Sequence, residues 1–472
     1  MTAERVPKDI SLGGALFVLG GVLAILTLGG ALLPVNVGVL LAAGGVYTTV
    51  VYTFVYGYGL RDLFGRGVFS MIARASGAMA ILVSVGPLIA TWTLSGTIPY
   101  VIHLGLSILT PGTFLVSSFL VCCAASLVTG TSWGTVGTFG IALSGIASGL
   151  GIDPAVAAGA IVGGSYFGDK ISPVSDSTIL TAAVAGVSVV DHIRSMLWTT
   201  LPGFFVSLAL YGALGWRAQG VIDPAASRQL LEGLGGTFTL SPALLLPPAL
   251  LLVLSWRRVA PMAVLWLAIA SAVPFAVMQG YGPLEILGAM ATGPKITTGV
   301  PAVDELMGRG GFIVLTGVVV VVCMAYVFAG QLEVTGTFRR VSELLTERFI
   351  GASRGRFVLS VSLSGILVAL LTGNTYLCSI IPGTMYAPVA DRMNISRRVL
   401  SRTLDDSGTA VIPLVPWSAA GVYMSSLLGV PVVSYLPWAF LCYLAALTGW
   451  FYGFSGIALW PSDKAVRRRG TP

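Results

Sequence analysis

The chain has 472 residues, of which 55% are apolar and only 10% charged, with a mean hydropathy of +0.90. Soluble domains carry about 25% charged residues, so this composition excludes an ordinary water-soluble fold and makes lipid the solvent. The net charge of +7 and pI near 9.2 do not indicate nucleic acid: no basic stretch is interleaved with stacking aromatics, and basic residues collect in the cytoplasmic loops of membrane proteins.

The short polar start MTAERVPKD precedes an apolar run from Ile10 to Leu33 with no small-residue cleavage site, which reads as a retained first span. Arg5 and Lys8, then Arg61, Arg66 and Arg74, place these ends in the cytoplasm. Residues 96–113 and 148–159 hold no Lys or Arg and are expected outside. Between them, Thr129–Trp133 (TGTSW) ends one span and begins a Gly-rich pass, where Thr131 and Ser132 offer hydroxyls.

The next pass contains GGSYFGDKISPVSDSTIL (163–180), with Asp169, Lys170 and Asp176 inside an otherwise apolar stretch. A charge near the centre of a span costs about 2.5–3.5 kcal/mol on insertion scales, so such residues face a cavity or a partner. Pro173 frees a carbonyl one turn earlier, and Ser172 and Ser175 add hydroxyls. Together these oxygens would suit a small hard cation such as sodium. The structural alternative is that Asp169 and Lys170 merely pair with other buried charges.

Leu197–Trp216 closes the first half (1–216), residues 217–239 form an outer linker, and Leu240–Trp256 opens the second (240–472). Arg257 and Arg258 mark an inner loop, 292–311 is an outer polar insert, and Phe312–Phe328 is another span. The Arg-rich stretches 339–356 and 391–402 and the tail from Lys464 to Arg469 are inner. Between these stretches, Thr372–Tyr376 (TGNTY) offers Asn374 as a neutral oxygen ligand. LDDSGTAVIPLVPWSAAGVYM (404–424) supplies Asp405, Asp406, Ser407 and Thr409, then a break at Pro413 and Pro416 before Trp417. Alternatives stay open here as well. One of Asp405 and Asp406 could serve the cytoplasmic surface, the hydroxyls could cap or pack helices, and Trp417 could be packing only. His103 and His192 fall near interfaces.

About fourteen passes are expected. At an offset of 243 residues the halves match: Thr129 and Gly130 fall on Thr372 and Gly373, Pro173 on Pro416, Ser175 on Ser418, Gly186 on Gly429. The Lys/Arg-free stretches 96–113 and 148–159 fall on Arg-rich 339–356 and 391–402, so equivalent loops lie on opposite sides. The expected fold is therefore an all-α polytopic membrane protein with an inverted-topology repeat, two discontinuous helices and re-entrant hairpins as an option for 129–152 and 372–393. Secondary transporters have this architecture. The five cysteines sit in apolar runs and read as core thiols; two histidines and no CxxC give zinc no support. The absence of GxxxxGK[ST] and HExxH argues against an ATP-driven machine or a zinc metalloenzyme. No cofactor is expected beyond sodium and protons as transported ions. The expected partners are the bilayer and a small cation or solute, with a homodimer compatible, and the location is the plasma membrane with both termini inside.

WTLSGTIP (92–99), GTSWGTVGT (130–138), SYFGDKISPVSD (165–176), DELMGRGG (304–311), GQLEVTG (330–336) and DDSGTAVIPLVPW (405–417) resemble the NhaC-type sodium/proton antiporter family over most of the chain. That resemblance implies a sodium/proton exchanger; it also admits exchangers of malate for lactate and carriers of amino acids. It places sodium and proton ligands among Asp169, Ser172, Ser175, Asp176, Thr131 and Ser132, with Asp405, Asp406, Ser407 and Thr409 from the second half. Asp169, Asp176 and Ser172 are the expected sodium ligands. One departure is TGNTYL (372–377), where Asn374 stands in place of an expected aspartate; another is PGTMY (382–386), where Thr384 replaces a basic residue.

Overall fold

The computed structural model describes residues 9–33, 35–218, 224–297, 304–305, 307–344 and 353–461. Arg5, Lys8, Arg348, the basic tail, residues 219–223 of the linker and residues 298–303 and 306 in the outer insert lie outside them.

Among the described residues every regular element is a helix. Seven helices are long and apolar enough to cross a bilayer, or eleven if each bent pair counts as one span. The expectation of about fourteen passes counted short apolar stretches separately: Thr97–Ile108 and Asp176–Ala185 are apolar helices too short to span.

The offset of 243 seen in the sequence also relates the helix boundaries. Pro111–Thr129 and Arg354–Thr372 are both 19 residues long, and each ends on a glycine in the left-handed region, Gly130 (φ 68°) and Gly373 (φ 58°). A Cβ is strained there, so glycine closes both helices. Ser132–Gly149 corresponds to Thr375–Arg392, and Asp176–Ala185 to Ala419–Leu428. Both 129–152 and 372–393 contain these helices rather than tight hairpins; the first has a π-helical stretch at Val136–Gly140.

Both expected breaks are present. The helix Pro154–Ile171 stops before Ser172 and Ser175, both extended, with Pro173 unable to donate to the ladder. In the second half Arg397–Leu404 runs into a π-helical turn, Asp405–Thr409, then a 3-10 turn, Ile412–Leu414. The helix Ala419–Leu428 follows at a 45° bend. The segments match, but their charges do not: the shift of 243 carries Asp169 onto Ile412 and brings Asp405 and Asp406 opposite Val162 and Gly163.

Close packing fixes the first break. The helix Pro154–Ile171 lies directly on Pro111–Thr129, where Ser126 Oγ donates to Gly164 O (3.2 Å) and accepts from Gly168 N (3.0 Å). A Cβ on Gly168 would lie 2.0 Å from Leu127 N, so only glycine permits this approach. The residue after it is Asp169. All five cysteines are free, and four are buried.

Candidate functional site

Asp169 occupies the last turn of Pro154–Ile171, 7% exposed. Because the chain then turns through Ser172–Ser175, residues at the start of the next helix come back beside it. Ser175 Oγ donates to Asp169 Oδ1 at 2.6 Å, with Ser177 Oγ at 3.5 Å from the same oxygen. Ser175 holds the N-cap position but makes no side-chain cap, its hydroxyl being committed to the carboxylate. Ser132, at the start of the adjoining helix, donates to Oδ2 at 2.6 Å. Thr178 Oγ1 donates to the carbonyls of Asp169 (2.9 Å) and Lys170 (3.2 Å), which the break leaves without helical donors. At the matching place in the second half, Ser418 does cap its helix, accepting from Gly421 N (2.8 Å) and donating to Ile412 O (2.7 Å).

The neighbouring charge crosses between the halves. Lys170 Nζ meets Asp406 Oδ1 at 2.6 Å, with side chains 0% and 2% exposed. His192 Nε2 lies 3.2 Å from Asp405 Oδ2, and its Nδ1 contacts Ser401 Oγ. Arg402 is fully buried, its guanidinium carbon 5.9 Å from the ring centroid of Tyr452 and 5.6 Å from that of Trp460. Lys170 thus offsets Asp406, His192 lies against Asp405, and cation–π contact holds the Arg402 guanidinium. Among the described residues Asp169 has no such partner, and its side chain bonds only to neutral hydroxyls.

A cavity of about 350 Å³ opens onto Asp169 and is also lined by Asp176, Thr131, Asn374, Ala419 and the rings of Trp133, Tyr166, Tyr326 and Tyr376. Arg74, paired with Glu333 at 2.6 Å, lies at its edge. Tyr376 Oη donates to Asp176 Oδ2 at 2.6 Å. Asn374 caps its helix through Oδ1, accepting from Tyr376 N and Leu377 N, and its Nδ2 donates to Tyr326 Oη at 3.2 Å. Trp133 stacks on Tyr423 with centroids 4.8 Å apart, and Tyr423 Oη donates to Trp133 O, which steadies that wall.

The residues singled out in the sequence therefore divide into three groups. Asp169, Asp176, Thr131 and Asn374 line the cavity, while Ser132 and Ser175 hold Asp169 from behind. Asp405 and Asp406 are both buried, so neither serves the cytoplasmic surface. Ser172, Ser407 and Trp417 turn elsewhere: Ser172 donates to Leu127 O (2.9 Å), Ser407 to Thr403 O (2.5 Å) and Trp417 Nε1 to Leu370 O (2.5 Å). Thr409 Oγ1 is buried with no hydrogen-bond partner among the described residues. Of the adjacent pair, Lys170 has the buried ionic partner and Asp169 does not. His192 is buried, with Nε2 3.2 Å from the Asp405 carboxylate. Tyr326, Tyr166 and Ser177 were not anticipated; Tyr376, two residues beyond Asn374 in the same turn, was within reach of the sequence.

Residues 13–195, and again 164–457, match the sequence model of the family described as the Na+/H+ antiporter family. The Na(+)/H(+) antiporter NhaC of Alkalihalophilus pseudofirmus is 37% identical over 392 residues, 83% of this chain and 84% of the relative. The arginine/ornithine antiporter ArcD of Halobacterium salinarum is 35% identical over 460 residues, 97% of this chain and 94% of the relative. The malate-2H(+)/Na(+)-lactate antiporter of Bacillus subtilis is 35% identical over 411 residues, 86% of each chain.

Proposed function

This chain belongs to the Na+/H+ antiporter family, and from that premise we propose that it exchanges sodium for protons at Asp169. It is a multi-pass membrane protein and a secondary transporter, not an enzyme. The observation that carries the finer reading is the charge balance around the break. The buried acids Asp405 and Asp406 have cationic or imidazole neighbours, whereas Asp169 faces a cavity with hydroxyl partners alone. A carboxylate out of bulk water needs a compensating charge, and here that charge has to come from the cavity. Ser132, Ser175 and Ser177 keep lone pairs while donating to it, and Thr131, Asn374 and Asp176 add oxygens of the kind a hard cation requires. A proton and a sodium ion neutralise the same oxygens, so each excludes the other. Alternating exposure then gives exchange without ATP.

The matching helix boundaries at a shift of 243 support an inverted repeat with its site between two interrupted helices. The basic loops support a plasma-membrane protein with cytoplasmic termini. The test is sodium-dependent proton movement in everted vesicles. Asp169→Asn abolishes it in protein that still inserts and purifies normally; wild-type exchange in that variant ends the proposal.

A second reading, carriage of an organic solute on the same scaffold, is favoured by one feature: a cavity of about 350 Å³ walled by Trp133, Tyr326 and Tyr376 is far larger than one dehydrated sodium needs. Two relatives are antiporters of arginine with ornithine and of malate with lactate. Counterflow of labelled arginine, ornithine, malate or lactate in proteoliposomes establishes that reading; its absence for all four removes it for these solutes.

A further inference from the structure

A second cavity, of about 370 Å³, shares Ile81, Thr131 and Asp176 with the first, so the two meet at the Asp176 carboxylate. Their chemistry differs. The first is walled by rings and polar groups, whereas Ile179, Leu251, Val264 and Leu265 make much of the second apolar. Asp176 is exposed at the junction, bonded to Tyr376 Oη on one oxygen and to its neighbour's amide, Ser177 N (2.9 Å), on the other. No cationic side chain among the described residues forms an ion pair with it. Arg258 lies on the rim of the second cavity but is itself exposed, so water screens its charge.

An anion at one end of an apolar channel selects a ligand with a cationic head and an apolar body. We propose that the second cavity binds amphiphilic ammonium compounds, with the ammonium at Asp176 and the hydrocarbon body along Leu251, Val264 and Leu265. A bare sodium ion gains nothing from those walls, and an uncharged acyl chain leaves Asp176 without a counter-charge. The inference rests on the reading above only in taking Asp176 as open to cations from the cavity.

Calorimetric titration of the purified, full-length protein with n-alkylammonium chlorides, methyl to hexyl, tests it. Removing one methylene from water changes an equilibrium about four-fold. The dissociation constant is therefore expected to fall roughly four-fold per added carbon, then level once the chain fills the cavity. Leu265→Trp and, independently, Val264→Phe fill the cavity, so both flatten the series while leaving methylammonium at its wild-type affinity; Asp176→Asn weakens every member. A series equally steep in both filled variants locates the chains in the detergent micelle and overturns the proposal, as does unchanged affinity in Asp176→Asn. Because calorimetry reads binding and vesicles read exchange, wild-type exchange in Asp169→Asn with an intact alkylammonium series refutes only the exchange reading.

Discussion

Replacing Ser175 by alanine removes one of the two 2.6 Å hydrogen bonds that Asp169 accepts. Hydrogen bonds to charged groups contribute about 1.5–3 kcal/mol each. Ser175 is completely buried, so bulk water does not stand in for the lost hydroxyl. The ionised carboxylate loses a donor, which lets a proton compete better for the oxygens that sodium must bind. Taking the lower figure alone, the half-saturating sodium concentration rises roughly ten-fold at fixed pH, while the rate at saturating sodium stays near wild type. Ser132→Ala, which removes the donor to the other oxygen, behaves alike. Ser172→Ala serves as the internal control, since its hydroxyl donates to Leu127 O and makes no contact with the Asp169 carboxylate. Sodium titrations of proton movement in everted vesicles read all three. The reasoning fails if Ser175→Ala keeps the wild-type half-saturation, or if Ser172→Ala shifts it as far as the other two.

Lys170→Met leaves Asp406 buried without its 2.6 Å partner, a change that costs about 3–5 kcal/mol. The double variant Lys170→Met/Asp406→Leu restores most of that stability, as measured by the fraction of monodisperse protein surviving a heating series; equal losses in both variants contradict the pairing. Asn374→Asp returns a carboxylate to the cavity while keeping the oxygen that caps the Thr375–Arg392 helix. It is expected to change the proton-to-sodium ratio, read as a shifted reversal potential, and an unchanged ratio excludes position 374 from the coupling.

The sequence made some of this legible because certain signals are local. A proline flanked by serines in an apolar run marks a break wherever the chain goes, and the offset of 243 needs only residue identity. Asp169 could be chosen for the same reason: an acid in lipid has to be used. What could not be read was who sits opposite whom. Lys170 and Asp406 are 236 positions apart, and His192 and Asp405 are 213 apart; no periodicity connects them. Ser172 and Ser175 look equivalent beside Pro173, yet one turns to Leu127 and the other to Asp169, a choice made by the Gly168 contact. Tyr326 sits in the run VVVVVCMAYVFAG, where a ring gives no hint that its hydroxyl reaches Asn374. Hydropathy leaves the number of passes open for a plainer reason: it does not distinguish a 10-residue helix after a break from the start of a new span.

The Lys170–Asp406 bridge also constrains how the molecule moves. Parting those two ions in a dry interior leaves two bare charges, at a cost of several kcal/mol. A motion that drew Pro154–Ile171 away from the Asp405–Thr409 turn would have to part those two ions. On another wall of the cavity the Ser70–Leu94 and Phe312–Val334 helices are joined by the half-exposed Arg74–Glu333 pair, which water screens and which parts at far smaller cost.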